Sequence, residues 1–146
     1  MKRPMLAFLI EKMPGEVNSV TYRGDSPLHA AVSTFSHIAG AIQLLIKGGA
    51  DVNIRNSSFK SLLHIAAQRR CWKLVNALLL SGTADVDVQD AKGNTPLIIC
   101  VQSHTGDDTR DNGRLLERLL QNDADVNTQN DDTHTALTFC TVLPKR

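Results

Sequence analysis

The feature that most constrains this chain is a short leucine motif that returns at nearly fixed spacing. Residues 93–100 read Gly-Asn-Thr-Pro-Leu-Ile-Ile-Cys, residues 24–31 Gly-Asp-Ser-Pro-Leu-His-Ala-Ala, residues 61–67 Ser-Leu-Leu-His-Ile-Ala-Ala, and residues 135–140 Thr-Ala-Leu-Thr-Phe-Cys. Their leucines, Leu28, Leu63, Leu97 and Leu137, stand 35, 34 and 40 residues apart, a period that marks stacked supersecondary units. A second motif keeps phase with the first. Residues 49–53 (Gly-Ala-Asp-Val-Asn), 83–87 (Thr-Ala-Asp-Val-Asp) and 123–127 (Asp-Ala-Asp-Val-Asn) each close a leucine-rich run. From the last polar residue of each block to the Ser or Thr that opens the next motif the count is constant. Asn18 to Ser26, Asn53 to Ser61, Asp87 to Thr95 and Asn127 to Thr135 are each eight residues, so insertions fall elsewhere.

Composition enters for what it excludes. With 42% hydrophobic and 21% charged residues in 146, the chain has the make-up of a soluble globular protein. Only 4% is aromatic, which suits a core of Leu, Ile, Val and Ala packed between short helices. A net charge of +1 gives no electrostatic reason to expect nucleic acid or a membrane as partner. No apolar run approaches the ~20 residues that span a bilayer, and no small-residue cleavage site follows an apolar core at the start. The expectation is an intracellular protein, cytoplasmic or nuclear.

The two phased motifs together resemble the ankyrin repeat, a turn plus two helices with a Thr-Pro-Leu-His-x-Ala start, over nearly the whole chain. The resemblance implies an all-α solenoid of helix-turn-helix units joined by β-hairpin-like loops. The single domain 1–146 then divides into an N-terminal half-repeat (1–20), repeats at 21–55, 56–89 and 90–129, and a C-terminal half-repeat (130–146). Helices are expected at 4–12, from Pro27 onward, at about 40–47, 62–69, 72–80, from Pro96 onward, 114–121 and 135–142. Pro27 and Pro96 suit a first helical position, Ser26 can cap, and Gly48-Gly49 and Gly82 suit helix ends. Residues 104–113, without an apolar side chain, are expected to form an inserted solvated loop. The second unit departs from the pattern. Phe59 and Leu62 stand where the pattern has Gly and Pro, so Phe59 implies a modified hairpin or an exposed apolar finger.

Candidate chemistry is thin. His29 and His64 recur at one motif position, where the resemblance implies a structural hydrogen bond from the helix start to the neighbouring turn. Ile98 and Thr138 replace them in the other units. Asp107, Asp108 and Asp111 do not match a calcium loop, because position six from Asp107 is Asn112 and position twelve is Arg118, not Gly and Glu. Glycine-rich phosphate loops, nucleophile elbows and zinc motifs are absent from the sequence. No enzyme, cofactor or metal is expected. Cys100 and Cys140 share a register, three residues past Leu97 and Leu137, and act as small apolar residues in a helix contact.

Recognition belongs at positions that packing leaves free. By the family's pattern these are the hairpin tips and first-helix ends, with Tyr22, Arg23, Asp25, Ser58, Phe59, Lys60, Gln68, Arg69, Lys92 and Asn94 as candidate protein-binding residues. Ser33, Thr34, Gln102 and Ser103 lie at other first-helix ends, and Trp72 at the entry to a second helix is either a hot spot or a cover over the apolar seam. Arg23, Lys60, Arg69 and Lys92 make the early tips basic. The expected partner is a protein with an acidic or mixed acidic-apolar surface, Phe59 being the apolar anchor.

The function expected is a non-catalytic protein-binding module. Two alternatives stand beside it: an inhibitor that occludes a kinase or transcription factor, and the recognition part of a longer ubiquitin-ligase adaptor or enzyme. The incomplete terminal units point to a longer parent and to self-association through exposed apolar faces. Packed helices lie ~8–10 Å apart, beyond the ~7 Å Cα separation that a disulfide bridges. All three cysteines are therefore expected to titrate as free thiols under native and denaturing conditions combined, and a Cys100–Cys140 bridge found by thiol counting would overturn the stacking register.

Overall fold

The computed structural model describes residues 10–34, 39–103 and 109–142; for residues 33, 34, 39, 109, 110 and 142 it describes the backbone alone. Most of the expected helix at 4–12, and residues 104–108, lie outside that set, as do the side chains of Ser33 and Thr34. After a helical stretch at 10–12 and a 3-10 turn at Pro14–Glu16 come α1 (Pro27–Thr34), α2 (Ala39–Lys47), α3 (Leu62–Gln68), α4 (Trp72–Leu79), α5 (Pro96–Gln102), α6 (Thr109–Gln121) and α7 (Ala136–Val142). No strand is present among the described residues.

Each of these helices is too short to be stable alone, and the architecture supplies what they lack. The first helices α1, α3, α5 and α7 pack side by side in series, and the second helices α2, α4 and α6 form a parallel layer against them. Leu28, Leu63 and Leu97 are buried between the layers with Leu45, Leu78, Leu115 and Leu119. This is an all-α solenoid in which each unit touches only its neighbours.

Helix starts are built from the motif itself. Thr95 stands in extended backbone and accepts a hydrogen bond from Ile98 N at 3.3 Å, with Pro96 following it into the helix. In the first two units His takes part. Ser61 N donates to His64 Nδ1 at 3.1 Å while His64 Nε2 meets Asn94 O at 2.8 Å. Ser26 N likewise donates to His29 Nδ1 at 3.2 Å, and His29 Nε2 meets Lys60 O at 3.4 Å. A backbone N–H can only donate and a carbonyl only accept, so both rings are neutral and carry their proton on Nε2. Each ring thereby ties its own helix start to the next unit's hairpin.

The connections between units are four copies of one turn. Asn56 N donates to Lys60 O at 3.0 Å and Phe59 N to Asn56 O at 2.8 Å. The same pair joins Thr21 with Asp25 and Gly24, Asp90 with Asn94 and Gly93, and Asn130 with His134 and Thr133. Asn56 Oδ1 also accepts from Ser58 N and Lys60 N, as Asp90 Oδ1 does from Lys92 N and Asn94 N. Neighbouring turns then bond to one another: Ser57 N to Arg23 O at 2.9 Å, Ala91 N to Ser58 O at 3.2 Å and Asp131 N to Lys92 O at 3.0 Å. Below the tips runs a second rail. Asn18 donates to Gly49 O and accepts from Asp51 N; Asn53 does the same with Thr83 O and Asp85 N. Asp87 can only accept, which it does from Asp125 N at 2.8 Å.

Two arginines complete the links between units. Arg69 NH1 donates to Val32 O in the last turn of α1, and Arg70 NH2 donates to Ser103 O at the end of α5. Both place a cation at the negative end of a neighbouring helix.

Two expectations are corrected. Residues 109–113 are not loop: α6 starts at Thr109 and Asn112 is buried. Asn112 lies three and seven residues before Leu115 and Leu119, on the same buried helix face, and Asp111 favours the first turn while pairing with Arg114 at 3.8 Å. Cys140 is exposed, unlike Cys100, because no further unit covers α7 among the described residues.

Burial lowers the pKa of His29 and His64 below the ordinary value of 6.5, against the opposing pull of their carbonyl partners. Below that value the unfolded chain binds protons that the folded rings refuse, so stability falls as pH drops through it and levels off once the folded rings protonate. A urea midpoint that declines between about pH 7.5 and about pH 5.5, with a shallower decline in His64→Gln, is the expected outcome; carboxylates titrate lower, near 4. A midpoint flat across this range would contradict the neutral-histidine assignment.

Candidate protein-binding surface

Stacking of the turns sets the tips in one row. The residue two places into each turn, Arg23, Ser58, Lys92 and Asp132, is the one whose carbonyl accepts from the next tip among the first three units, so its side chain projects beside its neighbours at regular intervals. The row carries a cation at Arg23 and at Lys92, a neutral hydroxyl at Ser58 and a carboxylate at Asp132.

The fourth turn residue has left-handed backbone in all four copies, with φ 75° at Gly24, 57° at Phe59, 72° at Gly93 and 64° at Thr133. At Gly93 glycine is required on two grounds, because a Cβ there would also lie 2.8 Å from Asp131 N. Phe59 adopts the same conformation with a side chain, so the hairpin is retained and the ring is the exposed apolar finger. It is 54% exposed, and the Arg55 guanidinium lies 5.5 Å from its centroid. Arg55 was not among the residues expected from the sequence. Its position directly before the turn residue Asn56 was the available signal.

Of the expected residues, several are brought together on adjoining tips. Tyr22 is 90% exposed, and Arg23 packs on its ring at 5.4 Å while Nε donates to its hydroxyl at 2.9 Å. Ser58 is exposed, and Lys60 is half-buried with Nζ donating to the exposed Gln68 Oε1 at 3.1 Å. Lys92 is exposed on the third tip, and Asp25 is half-buried beside His29. One residue leaves the set. Asn94 is only 6% exposed; its carbonyl holds His64 and its Oδ1 accepts from Asn130 Nδ2 at 2.9 Å. Arg69 is exposed as expected, with its guanidinium donating to Val32 O. Trp72 is half-buried under Arg114, 5.3 Å from its ring, which makes it a cover over the seam between the second and third units.

Burial pushes the Cys100 thiol up to about 12, the opposite of an activated nucleophile. Among the described residues no group of three or more His, Cys, Asp or Glu is placed to hold a metal, and no helix is long and apolar enough to cross a membrane.

Comparison with known proteins decides the family. The model for ankyrin repeats in three copies matches residues 34–130. The chain belongs to the ankyrin-repeat family. It is 33% identical over 101 residues to the human transient receptor potential cation channel subfamily A member 1, covering 69% of this chain and 8% of that protein. It is 30% identical over 116 residues to alpha-latrotoxin-Lh1a of Latrodectus hasselti, covering 79% of this chain and 8% of the toxin. A third relative is the chicken nuclear factor NF-kappa-B p105 subunit, 39% identical over 77 residues, which is 52% of this chain and 8% of the subunit. This ankyrin chain thus spans a small fraction of the relatives it matches.

A non-glycine residue in left-handed backbone costs ~1–2 kcal/mol, from which glycine's greater freedom when unfolded subtracts about 0.5–1 kcal/mol. Phe59→Gly is therefore expected to stabilise the fold by ~0.5 kcal/mol, and Thr133→Gly, at a β-branched residue, by ~1 kcal/mol. Urea midpoints measure both.

Proposed function

We propose that this ankyrin-repeat chain is a non-catalytic, intracellular interaction module whose first three hairpin tips bind a protein partner with an acidic or mixed acidic-apolar surface. Ankyrin repeats generally mediate protein–protein interaction. The observation that carries the finer reading is Phe59. A large ring is held in a disfavoured conformation, half in solvent, at a turn position where two sister units use glycine. Folding gains little from that ring. Strain of this kind concentrates at binding and active sites, and an exposed aromatic with a cation over its face is suited to enter an apolar hollow on a partner.

Around it the chemistry favours acidic groups. Arg23, Arg55, Lys60 and Lys92 lie on adjoining tips, and Asp25 is the carboxylate among the candidate residues. The turns are held by backbone bonds and by the Asn56 and Asp90 side-chain clamps, so ordering them on binding loses little entropy. Trp72 and Asn94 have no part in this reading.

The test separates folding from recognition. Proteins captured from cell lysate by the wild-type chain are identified by mass spectrometry and compared with those captured by Phe59→Gly and by Lys60→Glu/Lys92→Glu. With the fold at least as stable, Phe59→Gly is expected to weaken a genuine partner roughly tenfold or more, as loss of an aromatic anchor does. The charge reversal is expected to slow association and lower its salt dependence. A partner indifferent to both variants would place recognition elsewhere on the solenoid.

A further inference from the structure

Three hydroxyl side chains stand three residues after a cation on or beside a hairpin tip: Ser26 after Arg23, Ser58 after Arg55 and Thr95 after Lys92. A cation at that spacing is a charge pattern by which a kinase with carboxylates in its substrate groove selects an acceptor, and the fold treats the three very differently. Ser26 and Thr95 are each 1% exposed. Both are occupied at helix starts, Ser26 Oγ lying 2.9 Å from His29 Nδ1 and Thr95 Oγ1 accepting from Ile98 N at 3.3 Å, and each is followed by a proline. Ser58 is exposed, together with Arg55 before it and Phe59 after it. The tip is held through the Ser58 N–H, which donates to Asn56 Oδ1, and through its carbonyl, which accepts from Ala91 N. Neither bond uses the hydroxyl. The same place in the other tips holds Arg23, Lys92 and Asp132, so the second tip alone offers an acceptor there.

We propose that Ser58 is a phosphorylation site for an arginine-directed serine kinase, with Arg55 as the cation that enters the kinase's acidic subsite and Phe59 as the apolar residue after the acceptor. In the transfer the Ser58 hydroxyl gives its proton to the kinase's base and Oγ bonds to the γ-phosphorus of MgATP. The bond from that phosphorus to the β,γ-bridging oxygen breaks, and ADP leaves. A kinase groove takes the acceptor segment extended, so the tip must open locally, and this tip is the one made to do so. Phe59 holds left-handed backbone at φ 57°, a strain that extended backbone relieves. The bond from the next tip to Ser58 O is 3.2 Å, against 2.9 and 3.0 Å at the other junctions. Opening leaves the solenoid stacked, because His64 still holds Asn94 O and Arg70 still holds Ser103 O. The product carries a phosphate of charge about −2 between Arg23 and Lys92 in the row. On the partner-binding reading, on which this consequence alone rests, that phosphate repels an acidic partner and closes the surface.

Treating the whole folded chain with purified arginine-directed serine kinases and MgATP, then locating the phosphate by mass spectrometry, tests the assignment. Phosphate is expected at Ser58, with Ser26 and Thr95 unmodified. Ser58→Ala is expected to abolish incorporation, and Arg55→Gln to lower kcat/KM roughly tenfold or more, as loss of a charge-assisted contact does. Phe59→Leu, which keeps an apolar side chain, is expected to change kcat/KM little. Phe59→Gly is expected to lower it, since it removes that side chain and relaxes the closed turn. All of these changes lie at exposed positions, and circular dichroism checks that the fold is kept. Absence of phosphate at Ser58 with every kinase tried, phosphate at Ser57 in its place, modification of Ser26 or Thr95 as fast as Ser58, or incorporation that Arg55→Gln leaves unchanged overturns the proposal. The readout is phosphate on Ser58 with no partner present, so failure here leaves the partner-binding reading standing, and failure of that reading leaves this assignment standing.

Discussion

One hydrogen bond, from a backbone N–H on each hairpin tip to a carbonyl on the tip before it, sets the spacing on which the rest of the solenoid depends. It fixes the rise between units, and the buried helix layers must then be filled by side chains of matching size. This is why the motif leucines recur and why small residues such as Ala31, Ala66 and Cys100 follow them at three residues' distance. Helices of seven or eight residues cannot hold themselves in water. Their stability is borrowed from neighbours on both sides, so the units cooperate although each touches only the next.

The constant interval of eight residues was legible because nearly every polar position within it has a fixed task. Asn18 and Asn53 bridge to the next unit, Asn56 and Asp90 clamp their turns, and Ser61 or Thr95 starts the helix. A residue inserted anywhere between them would break a bond in two units at once. The histidine role expected from the resemblance is also found in the hydrogen bonds of His29 and His64. Less was legible where the deciding partner is distant in sequence. Asn94 looks like a free tip residue until Asn130, 36 positions on, is seen to bury it. Arg69 is an exposed cation, as read from the sequence, but its tie to Val32 O, 37 positions back, was not legible. The start of α6 was hidden by a run of Asp, Asn and Gly that reads as a breaker, although Asn112 falls on the buried stripe of that helix.

Structural demands take Asn94 out of the surface expected from the sequence and leave its other residues at least partly exposed. With Asn94 withdrawn, two aromatic rings stand on adjoining tips, each with an arginine against it: Tyr22 with Arg23, and Phe59 with Arg55. Neither ring contributes a buried contact to the core. Exposed rings on a rigid backbone present apolar area at low entropic cost, and in the proposed reading the neighbouring cations would favour acidic partners.

Phe59 also alters how the second and third units are joined. At this turn position Gly24 and Gly93 let the next tip approach so closely that a Cβ would meet its backbone, and the tip bond past Phe59 is correspondingly the longest of the three, 3.2 Å. The same junction holds other ties. His64 meets Asn94 O at 2.8 Å, where His29 reaches Lys60 O only at 3.4 Å, and Arg70 spans from the second unit to the end of α5. Arg114 from the third unit covers Trp72 of the second. A tip that is loosened to carry an aromatic ring is thus backed by a closer histidine bond, an arginine bridge and a cation–π contact. This junction therefore does not rest on its tip bond alone.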